Sequence, residues 1–174
     1  MEKYHIEVML QEETVNRRIR ELGEEISRDY EGKTVHLICI LKGSVYFTCE
    51  LAKRITVPVT MDFMQCSSYG AATKSSGIVR IVKDLDEPIT GREVIIVEDI
   101  IDSGRSMKHL LEYLHAKNPK QVIVATLFHK PKAAVCQVPI AYKGIELEND
   151  FVVGRGLDYD GLGRNYPDLY ILNA

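Results

Sequence analysis

Between Val94 and Met107 the chain reads VIIVEDIIDSGRSM, and few folds accommodate residues in that order. Four β-branched residues are followed by Glu98 and Asp99, two isoleucines, Asp102, and then Ser103-Gly104-Arg105-Ser106 leading into a helical pattern. An apolar strand that turns through glycine into a helix is a strand-turn-helix unit of an α/β sheet. Carboxylates this closely spaced at the end of an apolar strand repel one another and need a cation or hydrogen-bond donors to be stable there. The free N–H groups of the turn and of the first helical residues suit a phosphate, with the helix dipole adding to the attraction. Acids able to hold ribose hydroxyls or a divalent cation, next to a phosphate cradle, point to a sugar phosphate.

The flanking sequence repeats the rhythm. Val15, Ile19, Leu22 and Ile26 recur at helical spacing and predict an amphipathic helix over about 11–30. Thr34 to Leu41 (TVHLICIL) is a continuous apolar run of the kind buried on both faces of a parallel sheet. Val45 to Arg54 reads as a helix with Ser44 as its cap. Pro58 to Gln65 reads as a strand with Ile78 to Lys83 as its partner. A helix near Ser106 to Ala116, a strand from Val122 to Phe128 and a last core strand, Phe151 to Val153, follow. The fold class is therefore α/β, a central, mainly parallel twisted sheet flanked by helices, and 174 residues suit a single domain. Ligands in such sheets collect at the carboxyl ends of strands. Lys42-Gly43, Glu98-Asp99 and Lys130 all fall there.

Composition removes other classes. A net charge of −3 gives no bulk attraction to nucleic acid or to a membrane surface. The first ten residues lack the apolar run of a signal peptide, and Cys39, Cys49, Cys66 and Cys136 form no C-x-x-C pair, so they read as small core hydrophobes in a reducing, cytoplasmic setting. No zinc spacing, triphosphate P-loop, third glycine of a dinucleotide fingerprint after Gly154-Arg155-Gly156, or nucleophile elbow occurs. His36, His109, His115 and His129 read as structural or exposed.

The Glu-Asp-Ile-Ile-Asp-Ser-Gly wording resembles the phosphoribosyl diphosphate signature of the type I phosphoribosyltransferases, the hypoxanthine-guanine branch in particular. The resemblance runs from about residue 10 to the end of the chain. It implies that Glu98 and Asp99 face the ribose hydroxyls and magnesium, and that Asp102 sits by N7 of the purine as proton acceptor. Asp102, Ser103, Gly104, Arg105 and Ser106 would wrap the 5′-phosphate, with Arg105 standing where many members carry lysine.

Taken alone, Leu41-Lys42-Gly43 is an ordinary turn, Cys66 to Gly77 a solvated hairpin loop, and Lys130 an edge lysine. The resemblance assigns more. Lys42 and Gly43 would bind diphosphate after a cis Leu41–Lys42 bond, and Ser68 with Tyr69 would close a lid that excludes water. Lys130 would donate to the 6-oxo group of the purine while Lys132 faces solvent. Phe151 would stack on the base, Val152 would read its edge through the backbone, and Asp158 would bind near the base and a second magnesium. Arg164 would contact the diphosphate, its approach eased by Gly163.

A small hood, built from parts of the N-terminal segment and of the C-terminal segment after about 130, is also implied. So are a homodimer or homotetramer and the transfer of a phosphoribosyl group to hypoxanthine or guanine. The chain departs from the family at Arg155, where tyrosine is usual, and in Gly161-Leu162-Gly163, which reads as more flexible than the usual aromatic version. Two alternatives stay open: a phosphoribosyltransferase for another base, and a nucleic-acid-binding regulator built on the same fold.

Overall fold

The computed structural model describes residues 5–68, with Ser68 by its backbone only, and 79–173. In chain order the elements are β1 (His5–Leu10), α1 (Glu12–Asp29), β2 (Val35–Leu41), α2 (Val45–Ala52), β3 (Val59–Ser68) and β4 (Val79–Lys83). There follow β5 (Glu93–Ile101), α3 (Arg105–His115), β6 (Gln121–His129), a 3-10 turn at Pro131–Ala133, β7 (Ile140–Glu146), β8 (Val152–Val153) and β9 (Leu169–Asn173). A six-stranded sheet has the order β4-β3-β2-β5-β6-β7, parallel except for β4, which runs antiparallel to β3. The central strands match the apolar runs of the sequence, and their carboxyl ends share one edge.

Period-two alternation divides the core into two layers. Val35 and Leu37, Ile95 and Val97, and Ala125 and Leu127 face α1 and α2, where Val15, Ile19, Leu22, Ile26, Phe47 and Leu51 are buried. Ile38, Ile40, Val94, Ile96, Val122 and Val124 face Met107, Leu110, Leu111 and Leu114 of α3. Phe47 is wholly buried in the helix that leaves the Lys42 loop. Phe47→Ala is expected to cost about 3–5 kcal/mol of stability, because the vacated volume can collapse only in part. The midpoint of a urea unfolding transition measures that loss.

Several expectations need correction. Ser44 begins α2 but does not cap it: its φ of −79° and ψ of 0° are already helical, and its hydroxyl turns back to the Ile40 carbonyl. Only Cys39 is a core cysteine, since Cys49 is exposed and Cys66 and Cys136 are half-buried, all four as free thiols. The run at Phe151 to Val153 is not a strand of the main sheet. Phe151 is exposed, and Val152–Val153 belongs to a separate three-stranded antiparallel sheet, β1-β9-β8.

β7 joins the main sheet, so the C-terminal share of the second sheet begins only at Val152. β7 is hard to read locally because Gly144 interrupts it. A Cβ there would overlap the Leu127 carbonyl, so only glycine fits at that point of the β6–β7 pairing. The N-terminus of α1 is likewise served from a distance, with Glu12 N–H donating to Asp168 Oδ1 at 2.6 Å. Among the described residues no helix is long and apolar enough to cross a membrane.

Candidate active site

Glu98 and Asp99 lie inside β5, not beyond it. The strand continues to Ile101, but its pairing with β2 ends at Cys39–Val97, while pairing with β6 runs on through Glu98–Thr126 to Ile101–His129. The acids therefore occupy the length over which β5 outruns its β2 ladder. Burial, and then the Asp99 carboxylate beside it, holds the Glu98 carboxyl well above the usual carboxylate range. Burial also raises Asp99, partly offset by its hydrogen bonds with Glu98 and the Ile100 N–H and by the charge of Arg164. Two adjacent carboxyls whose proton affinity is raised by burial form a hard oxygen donor pair of the kind that suits a cation.

The turn after β2 closes on this pair. The Leu41–Lys42 peptide is cis, Lys42 is exposed, and Gly43 is buried. A Cβ on Gly43 would overlap Asp99 Oδ2, so the loop lies directly on the carboxylate. Gly156 lies on Gly43 in turn, since its own Cβ would overlap the Gly43 carbonyl. These two glycine contacts were not legible in the sequence: both depend on residues far apart in the chain.

Beyond β5, Glu98, Ile101, Asp102, Ser103, Gly104 and Ser106 line a cavity of about 140 Å³ at the start of α3. Asp102, Arg105 and Ser106 are exposed. Gly104 adopts φ +78°, and a Cβ there would come within 2.7 Å of the Cys136 carbonyl. The turn is braced from behind: Ser103 O accepts N–H bonds from Val135 and Cys136, both at 3.0 Å. A larger cavity of about 420 Å³, beside Lys33, His36 and Arg92, opens at the amino ends of β2 and β5, the edge remote from the acids.

The third strand tip joins the second. Lys130 N–H donates to Ile101 O at 2.9 Å, and the largely buried Lys130 Nζ donates to Asp150 O at 2.8 Å. This brings the ammonium to the segment carrying Phe151, whose ring meets Tyr159 edge-on with centroids 5.7 Å apart. Lys132 is solvent-facing as expected and pairs with Glu148.

Asp158 and Arg164 are joined to each other at 2.6 Å, and Arg164 also donates to the Gly156 carbonyl at 2.7 Å. Among the described residues no three His, Cys, Asp or Glu side chains converge as one metal site. Gly161-Leu162-Gly163 is not a loose run. Asp160 and Gly161, at φ +49° and +81°, form a tight hairpin turn closed by the reciprocal bonds of Tyr159 and Leu162, both 3.0 Å. Asp158 Oδ2 accepts the Gly161 N–H. Of the lid pair, Ser68 ends β3, and Tyr69 lies outside the described residues.

A parallel sheet with an acid pair, a glycine turn opening a helix and a glycine loop on one edge is an arrangement suited to a transferase of phosphorylated sugars. The phosphoribosyl transferase domain model matches residues 6–160. The hypoxanthine-guanine phosphoribosyltransferase of Mycobacterium tuberculosis is 49% identical over 168 residues, 93% of this chain and 82% of the relative. A crystal structure of a hypoxanthine phosphoribosyltransferase from Staphylococcus aureus superposes with a TM-score of 0.93 at 39% identity, covering 96% of this chain and 91% of that one. The Trypanosoma cruzi hypoxanthine phosphoribosyltransferase in complex with the product IMP gives 0.89 at 34% identity, covering 95% and 93%. The chain belongs to the phosphoribosyltransferase family and, within it, to the hypoxanthine-guanine phosphoribosyltransferases.

Proposed function

We propose that the enzyme transfers the 5-phosphoribosyl group of 5-phosphoribosyl 1-diphosphate to hypoxanthine or guanine, releasing IMP or GMP and diphosphate in a magnesium-dependent reaction of purine salvage. The observation that carries this reading is the join between strand tips at Ile101 and Lys130. It ties the strand end that leads into Asp102 to the backbone of the largely buried Lys130. A 6-oxopurine presents N7 and O6 side by side on one edge, whereas adenine presents a donor at the second position. Lys130 donates to O6 and Asp102 takes or holds the N7 proton as N9 attacks C1′. Phe151 stacks on the base, and the Val152 backbone reads its edge.

At the other end of the cleft, Lys42, Gly43 and Arg164 receive the diphosphate. Asp102 to Ser106 hold the 5′-phosphate. No activated nucleophile is required, because C1′ gains oxocarbenium character as diphosphate departs. Glu98 and Asp99 would hold magnesium, and Asp158 a second ion. Held there, magnesium would supply positive charge to the departing diphosphate. The adjacent carboxyls with raised proton affinity support that fit.

The three-stranded sheet acts as the hood. A homodimer or homotetramer accords with the exposed Tyr46 on the helix that follows the Lys42 loop, and a cytoplasmic location accords with four free thiols.

Initial rates with hypoxanthine, guanine, xanthine and adenine, each with magnesium or with excess chelator, test the reading. Turnover of hypoxanthine and guanine, little turnover of adenine, and loss of all rates on chelation are expected. Adenine used as well as hypoxanthine, or rates indifferent to chelator, would overturn it.

A further inference from the structure

The buried Arg155 is bound to both helices of one face of the sheet and takes no part in the chemistry above. It is 5% exposed and stands at φ +56° between Gly154 and Gly156, which also have positive φ. Its guanidinium donates to Glu50 of α2, to Asn16 Oδ1 of α1 at 2.8 Å and to the Pro167 carbonyl at 3.2 Å, with Glu12 Oε1 at 3.8 Å. Its backbone N–H donates to Tyr166 O at 3.0 Å.

The next residue carries that anchoring into the cleft. Gly156 lies against the Gly43 carbonyl, Gly43 lies against Asp99, and the Gly156 N–H and carbonyl hold the Arg164 carbonyl (2.9 Å) and guanidinium (2.7 Å). Three of the groups assigned to the diphosphate or its metal therefore depend on where one dipeptide sits. The helix bearing Glu50 is also the one that the Lys42-Gly43 turn leads into.

We propose that Arg155 is a positioning residue for the diphosphate end of the site. It pins the Gly154 to Gly156 turn to α1 and α2, and so fixes Gly43 and Arg164 without touching substrate. The proposal rests on the assignment of Lys42, Gly43 and Arg164 to the diphosphate. A planar guanidinium can serve three acceptors in different directions at once, which a lysine ammonium on a flexible stem does poorly. A small displacement of a binding loop is enough to cost about tenfold or more in a reaction that depends on alignment.

The test is steady-state kinetics on Arg155→Met, Glu50→Gln and the double variant, with thermal melting of each. Arg155→Met is expected to raise KM for 5-phosphoribosyl 1-diphosphate about tenfold or more while KM for hypoxanthine stays within about twofold. Glu50→Gln should raise the same KM by less, and should add little to Arg155→Met, because both act through one contact. An unchanged KM for the diphosphate substrate, or equal changes in both KM values, would overturn the proposal and leave Arg155 a folding residue. If Arg155→Met fails to fold, Glu50→Gln decides alone by the same criterion. The unaltered chain, run alongside, separates the two readings: its failure to transfer phosphoribosyl at all would sink the proposed function itself.

Discussion

Asp102→Asn is expected to slow turnover by about 10²- to 10⁴-fold, the usual contribution of a positioned general base. The amide keeps the shape of the side chain and can still form a hydrogen bond at N7, but it cannot take a proton. Asp102 is exposed at the mouth of the turn, while Ile101 before it is buried and Gly104 after it is fixed by the Cys136 carbonyl. The substitution thus changes one functional group on an anchored frame. KM for 5-phosphoribosyl 1-diphosphate should move little, since the proposed part of Asp102 in the 5′-phosphate turn is played by its backbone, which the substitution keeps. Comparing kcat with calorimetric binding of that substrate separates the effects, and unchanged turnover would remove the base assignment.

Gly43→Ala should be as damaging for a different reason. The new Cβ would fall on Asp99 Oδ2, and this carboxylate is already bonded to the Ile100 N–H at 2.7 Å. One of the two must move, shifting either the proposed metal ligand or the loop proposed to bind diphosphate. A displacement of about 1 Å costs roughly 10²-fold in an aligned reaction. Strand β2 and helix α2 are anchored by their own buried residues, so thermal melting should fall far less than activity. The measurement is initial rate at saturating substrates beside a melting curve. Activity near that of the unaltered chain would show that the loop yields freely, contrary to the packing described.

The two expectations differ in what made them visible. Asp102 stands out in the sequence because an acid after an apolar strand and before a glycine turn is costly unless used. Gly43 does not stand out, because Lys-Gly pairs occur in many turns. Only its position on Asp99 gives it weight, and that contact joins residues from two strands. Arg155 is a sharper case. Along the chain it is merely a departure from the family's usual tyrosine, and its partners Glu12, Asn16 and Glu50 lie near the other end of the sequence.

Local order was enough for the central strands and for α1 and α3, because continuous apolar runs and helical spacing report which faces avoid water, and burial on both sides of the sheet answers to them. It was enough as well to place the acid pair and the glycine turn together, since their residues are neighbours in the chain and share one strand end. The second sheet, the close approach of Gly156 to Gly43, and the pairing of Asp158 with Arg164 came only from the tertiary structure. β1 pairs with β9 across nearly the whole length of the chain, and no short-range pattern encodes which distant edge a strand will meet. Chemistry carried by adjacent residues is written locally; geometry set by contact between distant segments exists only once the core has brought them together.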